Sequence, residues 1–128
     1  MIDHASLPVR DYERSKRFYT QALAAIGYKL VREVPADKNP TGLAACGFGA
    51  ERPEFWIAES ATAPHLHLAF GAGTRALVDA FYAAALAAGG QDNGAPGPRP
   101  QYHANYYGAF VIDPDGHNVE AVCRVPPA

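Results

Sequence analysis

Apolar and polar positions alternate at the start of the chain and then recur at helical spacing, which predicts a strand followed by a helix. In residues 2–9 the alternation places apolar side chains on one face and His4 on the other. The helix is expected to begin after the capping residue Asp11, to run to about Ile26 and to end at Gly27. Three short strands are predicted next, in the stretches YKLVREV, GLAACGF and EFWIAE. The apolar stripe of the helix consists of Tyr12, Phe18, Tyr19, Ala22, Leu23 and Ile26.

The second half of the chain repeats this order. The stretch HLHLAF predicts a strand with leucines and Phe70 on one face and His65 and His67 on the other. A second helix is expected from the cap Thr74 through Ala88. The following GGQDNGAPGPRPQYHAN is predicted to be mostly loop, with room for a short strand. Two last strands, YYGAFVI and NVEAVCR, are joined by the tight turn DPDGH.

The two helices also resemble each other in sequence. FYTQALAAIG at residues 18–27 and FYAAALAAGG at residues 81–90 agree at seven of ten positions, with an offset of 63 residues. The same offset relates His4 to His67. We therefore predict an α+β fold of two tandem βαβββ modules, about residues 1–60 and 64–125, within a single domain spanning residues 1–128. The leucine faces would pack on the helices, so that the two sheets cup a central cavity lined by the histidine faces.

Composition narrows the class of protein. With 48% hydrophobic and 19% charged residues among 128, the chain is typical of a globular domain. A net charge of −2 gives no basic surface for nucleic acid or an anionic membrane. The start of the sequence lacks a signal-peptide pattern, so a cytoplasmic protein is expected. Cys46 and Cys123 fall in predicted strands and are expected to be buried reduced thiols.

Three short stretches carry a family resemblance. FVIDPDGHNVE, HLAF and the His of MIDHASL resemble motifs of the vicinal oxygen chelate family, over roughly residues 2–124. That family includes glyoxalase I, extradiol dioxygenases, and bleomycin and fosfomycin resistance proteins. The resemblance implies a metal site formed by His4, His67 and Glu120. Two imidazoles and one carboxylate suit a divalent ion of Fe, Mn, Ni, Co or Zn and leave positions open for substrate.

The sequence departs from glyoxalase I at the fourth ligand. The resemblance to glyoxalase I implies a second Glu, in the first module, that also serves as the base. Subtracting 63 from Glu120 gives Ile57, whereas aligning the apolar pattern gives Trp56. Glu54 and Glu59 each need a register shift of at least two residues. We therefore expect a three-ligand site and no true glyoxalase I activity.

Other residues are candidates for catalysis or for the substrate pocket. The Tyr that some relatives carry ten residues before the final Glu is Phe110 here. If Phe110 faces inward, Tyr106 does so too and Tyr107 faces outward, although one bulge would exchange them. A metal-bound hydroxide, Tyr106 and His103 are the candidates for moving a proton, and His103, in the long loop, either reaches the pocket or is exposed. The expected pocket residues are His65, which is alternatively a ligand, Trp56, Phe110 and Arg99, which either meets an anionic substrate or is solvated. His117, in the turn, is expected to be exposed and structural.

These features predict a metal-dependent enzyme, lyase- or dioxygenase-like, acting on a small oxygen-rich substrate. The alternative is a non-catalytic binding protein of the bleomycin-resistance type, with Phe55, Trp56, Tyr106 and Tyr107 as its stacking surface. A homodimer is expected, because the connection ESATAPHLH is short and hinders folding one module over the other. Each cavity would then take His4 from one chain and the other two ligands from its partner.

Overall fold

The computed structural model describes residues 1–127, which form two four-stranded sheets and two α-helices. The predicted α+β fold of two tandem βαβββ modules is confirmed. No helix within these residues is both long and apolar enough to cross a membrane. In chain order the elements are β1 (Ala5–Val9), α1 (Tyr12–Ala24), β2 (Lys29–Val34), a 3-10 turn (Ala36–Lys38), β3 (Ala45–Gly49), β4 (Phe55–Glu59), β5 (His67–Gly71), α2 (Arg75–Ala87), β6 (Gln91–Pro98), β7 (Tyr107–Ile112) and β8 (Asn118–Cys123).

The two sheets have the same topology. Their strand orders are β1-β4-β3-β2 and β5-β8-β7-β6. In each sheet the first and last strands of the module pair in parallel, and the remaining neighbours are antiparallel. Because the hydrogen-bonded register is also shared, a residue of one module has a definable counterpart in the other.

Both helices begin at the predicted caps. The Asp11 carboxylate accepts a hydrogen bond from the Arg14 N–H at 3.1 Å, and the Thr74 hydroxyl accepts one from the Leu77 N–H at 3.1 Å. These bonds satisfy backbone donors that the first turn of a helix leaves unpaired. The helices end at Ala24 and Ala87, slightly before the predicted ends. Every member of the predicted α1 stripe is buried.

One core joins the modules. The ring of Phe55 in the first sheet meets Phe70 in the second edge to face, with centroids 5.1 Å apart. Tyr19 of α1 lies against the other side of the same cluster, 5.0 Å from Phe55. Edge-to-face contacts at these distances stabilise beyond the area that they bury. Cys46 and Cys123 are buried and unpaired, as predicted.

Two predicted elements differ from the structure. The Gly- and Pro-rich stretch, expected to be mostly loop, contains the eight-residue strand β6. The register of the pairing with β7 shifts between Asp92 and Gly94 and between Gly94 and Gly97, so that the strand continues past its glycines and prolines. Strand β5 begins at His67 rather than His65, so Leu66 precedes the sheet and is 44% exposed instead of packed on the helix.

Candidate functional site

His67 and Glu120 meet on neighbouring parallel strands, β5 and β8. The His67 Nε2 lies 3.3 Å from the Glu120 Oε1. The Tyr106 hydroxyl donates a hydrogen bond to the other carboxylate oxygen, Oε2. Glu120 is only 1% exposed, and Asn118 is the only other polar residue of its strand. Burying a carboxylate destabilises the folded state unless hydrogen bonds or an opposite charge compensate for the lost hydration. His67 and Tyr106 are the side chains placed to do so.

The tautomer of His67 follows from its second hydrogen bond. The Nδ1 atom lies 2.9 Å from the backbone carbonyl oxygen of Asn118. A carbonyl only accepts, so Nδ1 carries a hydrogen. In the neutral ring Nε2 is then an unprotonated lone pair aimed at the Glu120 carboxylate. Two acceptors at this separation repel each other unless a proton or a metal ion lies between them. The donor set therefore fits a divalent cation.

Tyr106 contacts the His67–Glu120 pair through its hydrogen bond to Glu120. Burial, followed by the hydrogen bond to Glu120, raises the pKa of Tyr106 to about 12. The phenol is therefore neutral at ordinary pH and holds its proton towards the carboxylate. Its ring lies between Tyr102, 5.2 Å away edge to face, and the Arg124 guanidinium, 5.0 Å from the ring centroid. Tyr107 lies on the opposite, helix-facing side, where its hydroxyl donates to Asp79 at 2.7 Å.

These side chains border a cleft with two adjoining lobes of about 430 and 330 Å³. Phe110 stacks on the His67 ring with centroids 6.3 Å apart and forms part of both lobes. Tyr102 and Asn118 also line both lobes, so that the two are continuous. The larger lobe is lined by His67, Tyr102, Tyr106, Phe110, Asn118, Glu120 and Arg124. The smaller lobe is lined by Asn93, Gly94, Arg99, Tyr102, Phe110 and Asn118.

His4 lies elsewhere in the same chain. Its exposed ring donates from Nδ1 to the Asp3 carboxylate at 2.8 Å, and it lines a separate cavity of about 210 Å³ with Ala69 and Gly71. Within residues 1–127, the potential ligand atoms of His4, His67 and Glu120 do not all lie within 4.8 Å of one another. One chain therefore brings His67 and Glu120 together and holds His4 apart from them.

Two further histidines singled out in the sequence lie outside the cleft. The His65 ring packs over Gly116, where an added Cβ would lie 2.5 Å from the Nε2 atom. It also lies edge to face against His117 at 6.5 Å. His103 is exposed, and its Nδ1 accepts a hydrogen bond from the Asn105 N–H within its own loop at 3.1 Å. Neither residue contributes to the lining of the two lobes.

The fourth-ligand position is occupied by Trp56. Its indole lies over Gly47, where an added Cβ would come within 3.0 Å of the ring. Glu54 borders the cavity that contains His4, and Glu59 accepts a hydrogen bond from the Ala44 N–H at 3.4 Å. Neither carboxylate takes the place of Trp56. Among the aromatic residues proposed for a stacking surface, Phe55 packs in the core and also borders the cavity that contains His4.

Sequence reasoning did not single out Arg124, Tyr102 or Asn118 as lining residues. The alternation that faces Glu120 into the cleft extends by two residues in one direction to Asn118 and by four in the other to Arg124. The alternation of side chains along the strand is therefore enough to predict that Asn118 and Arg124 share the face of Glu120. Tyr102 lies in an irregular loop, and no sequence signal indicated its position.

One other cluster has the composition of a metal site. Within residues 1–127, potential ligand atoms of Asp113, Asp115 and His117 lie within 4.8 Å of one another. His117 is fully buried, contrary to the predicted exposure. Its Nδ1 accepts from the Leu66 N–H at 3.0 Å, so its Nε2 is the donor to the Pro8 carbonyl at 2.8 Å. Both nitrogens are therefore already used by the backbone.

The two aspartates of this cluster are similarly engaged. Asp113 accepts a hydrogen bond from the Tyr19 hydroxyl at 2.5 Å. Asp115 accepts from the Ser15 hydroxyl at 3.0 Å and from the Arg10 N–H at 2.9 Å. These partners belong to the start of the first module, whereas the aspartates belong to the last turn of the second. The cluster therefore holds the two modules together.

Comparison with known proteins agrees with this architecture. The family model described as Glyoxalase/Bleomycin resistance protein/Dioxygenase superfamily matches residues 1–121. A glyoxalase/bleomycin resistance protein from Albidiferax ferrireducens is 28% identical, with a TM-score of 0.72 over 96% of this chain and 98% of that one. A glyoxalase I mutant from Zea mays is 25% identical, with a TM-score of 0.71 over 94% of this chain and 46% of that one. A Burkholderia phytofirmans family enzyme, 18% identical, shares the fold with a TM-score of 0.70 over 97% of this chain and 98% of that one.

No curated protein sequence matches the chain. The family assignment rests instead on the family model, which covers nearly the whole sequence, and on the repeated topology of the two sheets. Both agree with the resemblance carried by the sequence motifs. The chain belongs to the glyoxalase/bleomycin resistance protein/dioxygenase superfamily.

Proposed function

We propose that this protein is a metal-dependent enzyme of the vicinal oxygen chelate type that acts on a small oxygen-rich substrate. The observation that carries the proposal is the position of the His67 Nε2 atom, 3.3 Å from the Oε1 atom of the buried Glu120 carboxylate. The hydrogen bond from Nδ1 to the Asn118 carbonyl holds the ring in the orientation that a ligand needs. His67 and Glu120 would bind a divalent ion of Fe, Mn, Ni, Co or Zn. Such an ion would supply Lewis acidity to two adjacent substrate oxygens.

The third ligand would come from a second copy of the chain. His4 and His67 occupy equivalent positions in the repeat but line separate cavities of one chain. The exposed His4 ring has only Asp3 as a side-chain partner among residues 1–127. A homodimer that opposes the first sheet of one protomer to the second sheet of its partner would complete a site of two imidazoles and one carboxylate. Twofold symmetry would complete two such sites together.

Tyr106 is the proposed proton-bearing group of the cleft. Its raised pKa, about 12, favours a role as a hydrogen-bond donor and acid rather than as a base. By donating to Glu120 Oε2 it also orients the carboxylate, leaving Oε1 towards His67. Phe110, stacked on the His67 ring with centroids 6.3 Å apart, lies beside the pair. His103 lies outside the lining of the cleft, so the proposal assigns proton transfer to Tyr106 in its place.

Metal analysis tests this proposal. The purified chain, loaded with each of the five metals in turn and then dialysed, should retain about one divalent ion per chain. Glu120→Gln should lose the ion while keeping the fold, because glutamine fills the same volume without the anionic charge. His103→Ala, outside the cleft, is the matched control and should retain it. Metal retention by Glu120→Gln would contradict the ligand assignment. Absence of metal under every loading condition would favour a non-catalytic binding protein.

A further inference from the structure

Two arginines border the cleft, one in each lobe. Arg124 lines the larger lobe, beside Glu120, and Arg99 lines the smaller one. Because Tyr102, Phe110 and Asn118 line both lobes, the lobe that contains Arg99 adjoins the lobe that contains Arg124. The structure thus places one arginine in each of two adjoining lobes.

Neither charge is neutralised within the described part of the chain. Among residues 1–127 no carboxylate oxygen lies within 4.0 Å of the guanidinium of either arginine. Arg99 donates to the backbone carbonyls of Ala95 at 2.8 Å and Gly97 at 2.9 Å, which ties it to the irregular strand β6. Arg124 makes no such bonds to any residue among 1–127; its guanidinium lies over the Tyr106 ring, a contact that uses none of its N–H donors. Arg124 therefore keeps its donors for a ligand.

The charge around the cleft differs in sign from that of the protein as a whole. The chain carries a net charge of −2. By formal charge, with His67 counted as neutral, the two lobes are lined by Arg99, Arg124 and Glu120, which leaves one positive charge in excess before any metal is bound. A concave site of opposite sign to the rest of the surface concentrates ligands of the complementary charge.

We propose that the substrate of this cleft is a small anion, and that Arg124 is the residue that binds its carboxylate or equivalent oxyanion. Arg99 adds to the positive field, while its donors serve mainly to hold β6. Planar guanidinium groups bind carboxylates through paired hydrogen bonds, a geometry that a free Arg124 permits. The reaction at the other end of the substrate rests on the proposed metal site, but the preference for an anion does not.

A matched pair of ligands tests the proposal. 3,4-Dihydroxybenzoate and 3,4-dihydroxybenzamide have the same shape and the same adjacent oxygens, and they differ in one negative charge. Their affinities would be measured by calorimetry with the metal-loaded and the metal-free protein. We expect the benzoate to bind about tenfold more tightly than the benzamide in both states, as a charge-assisted contact provides. In Arg124→Gln the preference should fall to about twofold, with the affinity for the benzamide unchanged.

Arg17→Gln, which removes an exposed arginine from α1, is the control and should keep the full preference. Equal affinities for the two ligands in the parent protein, or an unchanged preference in Arg124→Gln, would overturn the proposal. So would failure of both ligands to bind. If the protein binds no metal but still prefers the benzoate through Arg124, the anion proposal stands and the metal-site proposal fails. If the protein binds metal but shows no preference for the benzoate, the metal-site proposal stands and the anion proposal fails.

Discussion

Trp56 occupies in the first sheet the position that Glu120 occupies in the second. Ser6 of β1 pairs with Trp56, and its counterpart Ala69 of β5 pairs with Glu120. On the other side of each strand, Gly47 pairs with Trp56 as Phe110 pairs with Glu120. The two modules therefore differ at the one position where a second carboxylate would make the binding sites symmetric.

This asymmetry leads to a prediction about activity. The hemithioacetal of glutathione and methylglyoxal should not be converted at a significant rate, because the resemblance to glyoxalase I implies a carboxylate base at the Trp56 position. An assay for lactoylglutathione with the metal-loaded protein provides the test. Robust product formation would mean that Glu54 or Glu59 acts in place of Trp56.

The strand pairs also show how far sequence reasoning could reach. Aligning the apolar pattern correctly matched Trp56 to Glu120, whereas the fixed offset of 63 pointed to Ile57. The offset fails because the connections between strands differ in length in the two modules. The alternation of side chains along each strand is the same in both. A period of two residues thus assigned the faces of β8, including Glu120, without any knowledge of the turns.

Features that depend on contacts between distant segments were harder to predict. Nothing in the local sequence indicates that the His117 ring is enclosed by Pro8 and Leu66, since that burial arises from packing of the modules. Likewise, the separation of His4 from His67 depends on how the two sheets lie relative to each other. Strand β6 was expected only as a short strand within a loop, because the sequence does not show that register shifts allow pairing to continue past its glycines and prolines.

His117 provides a prediction about stability. Replacing it with alanine should destabilise the fold by about 2–4 kcal/mol, since the Leu66 N–H and the Pro8 carbonyl would both lose their partner and a cavity would form. His103→Ala, at an exposed histidine, should change the free energy of unfolding by less than about 0.5 kcal/mol. Urea denaturation of the two variants and the parent measures both values. Equal effects would show that the buried hydrogen bonds of His117 contribute little.

Tyr106 should make stability depend on alkaline pH. Its pKa in the folded state, about 12, lies above the ordinary value of 10.0. Its contribution is thus fully present below pH 10.0 and is lost as the pH rises towards 12. Tyr106→Phe has no proton to lose, so the difference in unfolding free energy between parent and variant should shrink by about 1 kcal/mol in this window, after solvent screening. Comparing the two proteins cancels the contributions of Tyr12 and Tyr19, whose pKa values burial also raises.

The cysteines should resist thiol reagents in the native protein. Burial raises the pKa of the Cys46 thiol to about 11, and both side chains are fully enclosed by the core. Thiolate is the reactive form, so a low thiolate fraction adds to the low accessibility of Cys46, whereas burial alone protects Cys123. Alkylation at mildly alkaline pH, followed by mass spectrometry, should modify neither residue before urea is added and both afterwards. Rapid labelling of the folded chain would indicate that the core opens readily.

Shared sites between two chains can be tested by mixing variants. His4→Ala keeps His67 and Glu120 but lacks the third ligand, whereas Glu120→Gln keeps His4 but lacks the carboxylate. Each variant refolded alone should bind little metal. In a mixed dimer, His4 of one protomer would meet the intact pair of the other, and the second site would lack both groups. Random pairing makes half of the dimers mixed, with one intact site in each, so the mixture should bind about one quarter of the parent's metal per chain.

This recovery requires two chains, because neither variant can complete a site by itself. Refolding the parent under the same conditions controls for the yield. A mixture that binds no more metal than the separate variants would place the third ligand elsewhere, leaving the His67–Glu120 pair to be tested by its own variants.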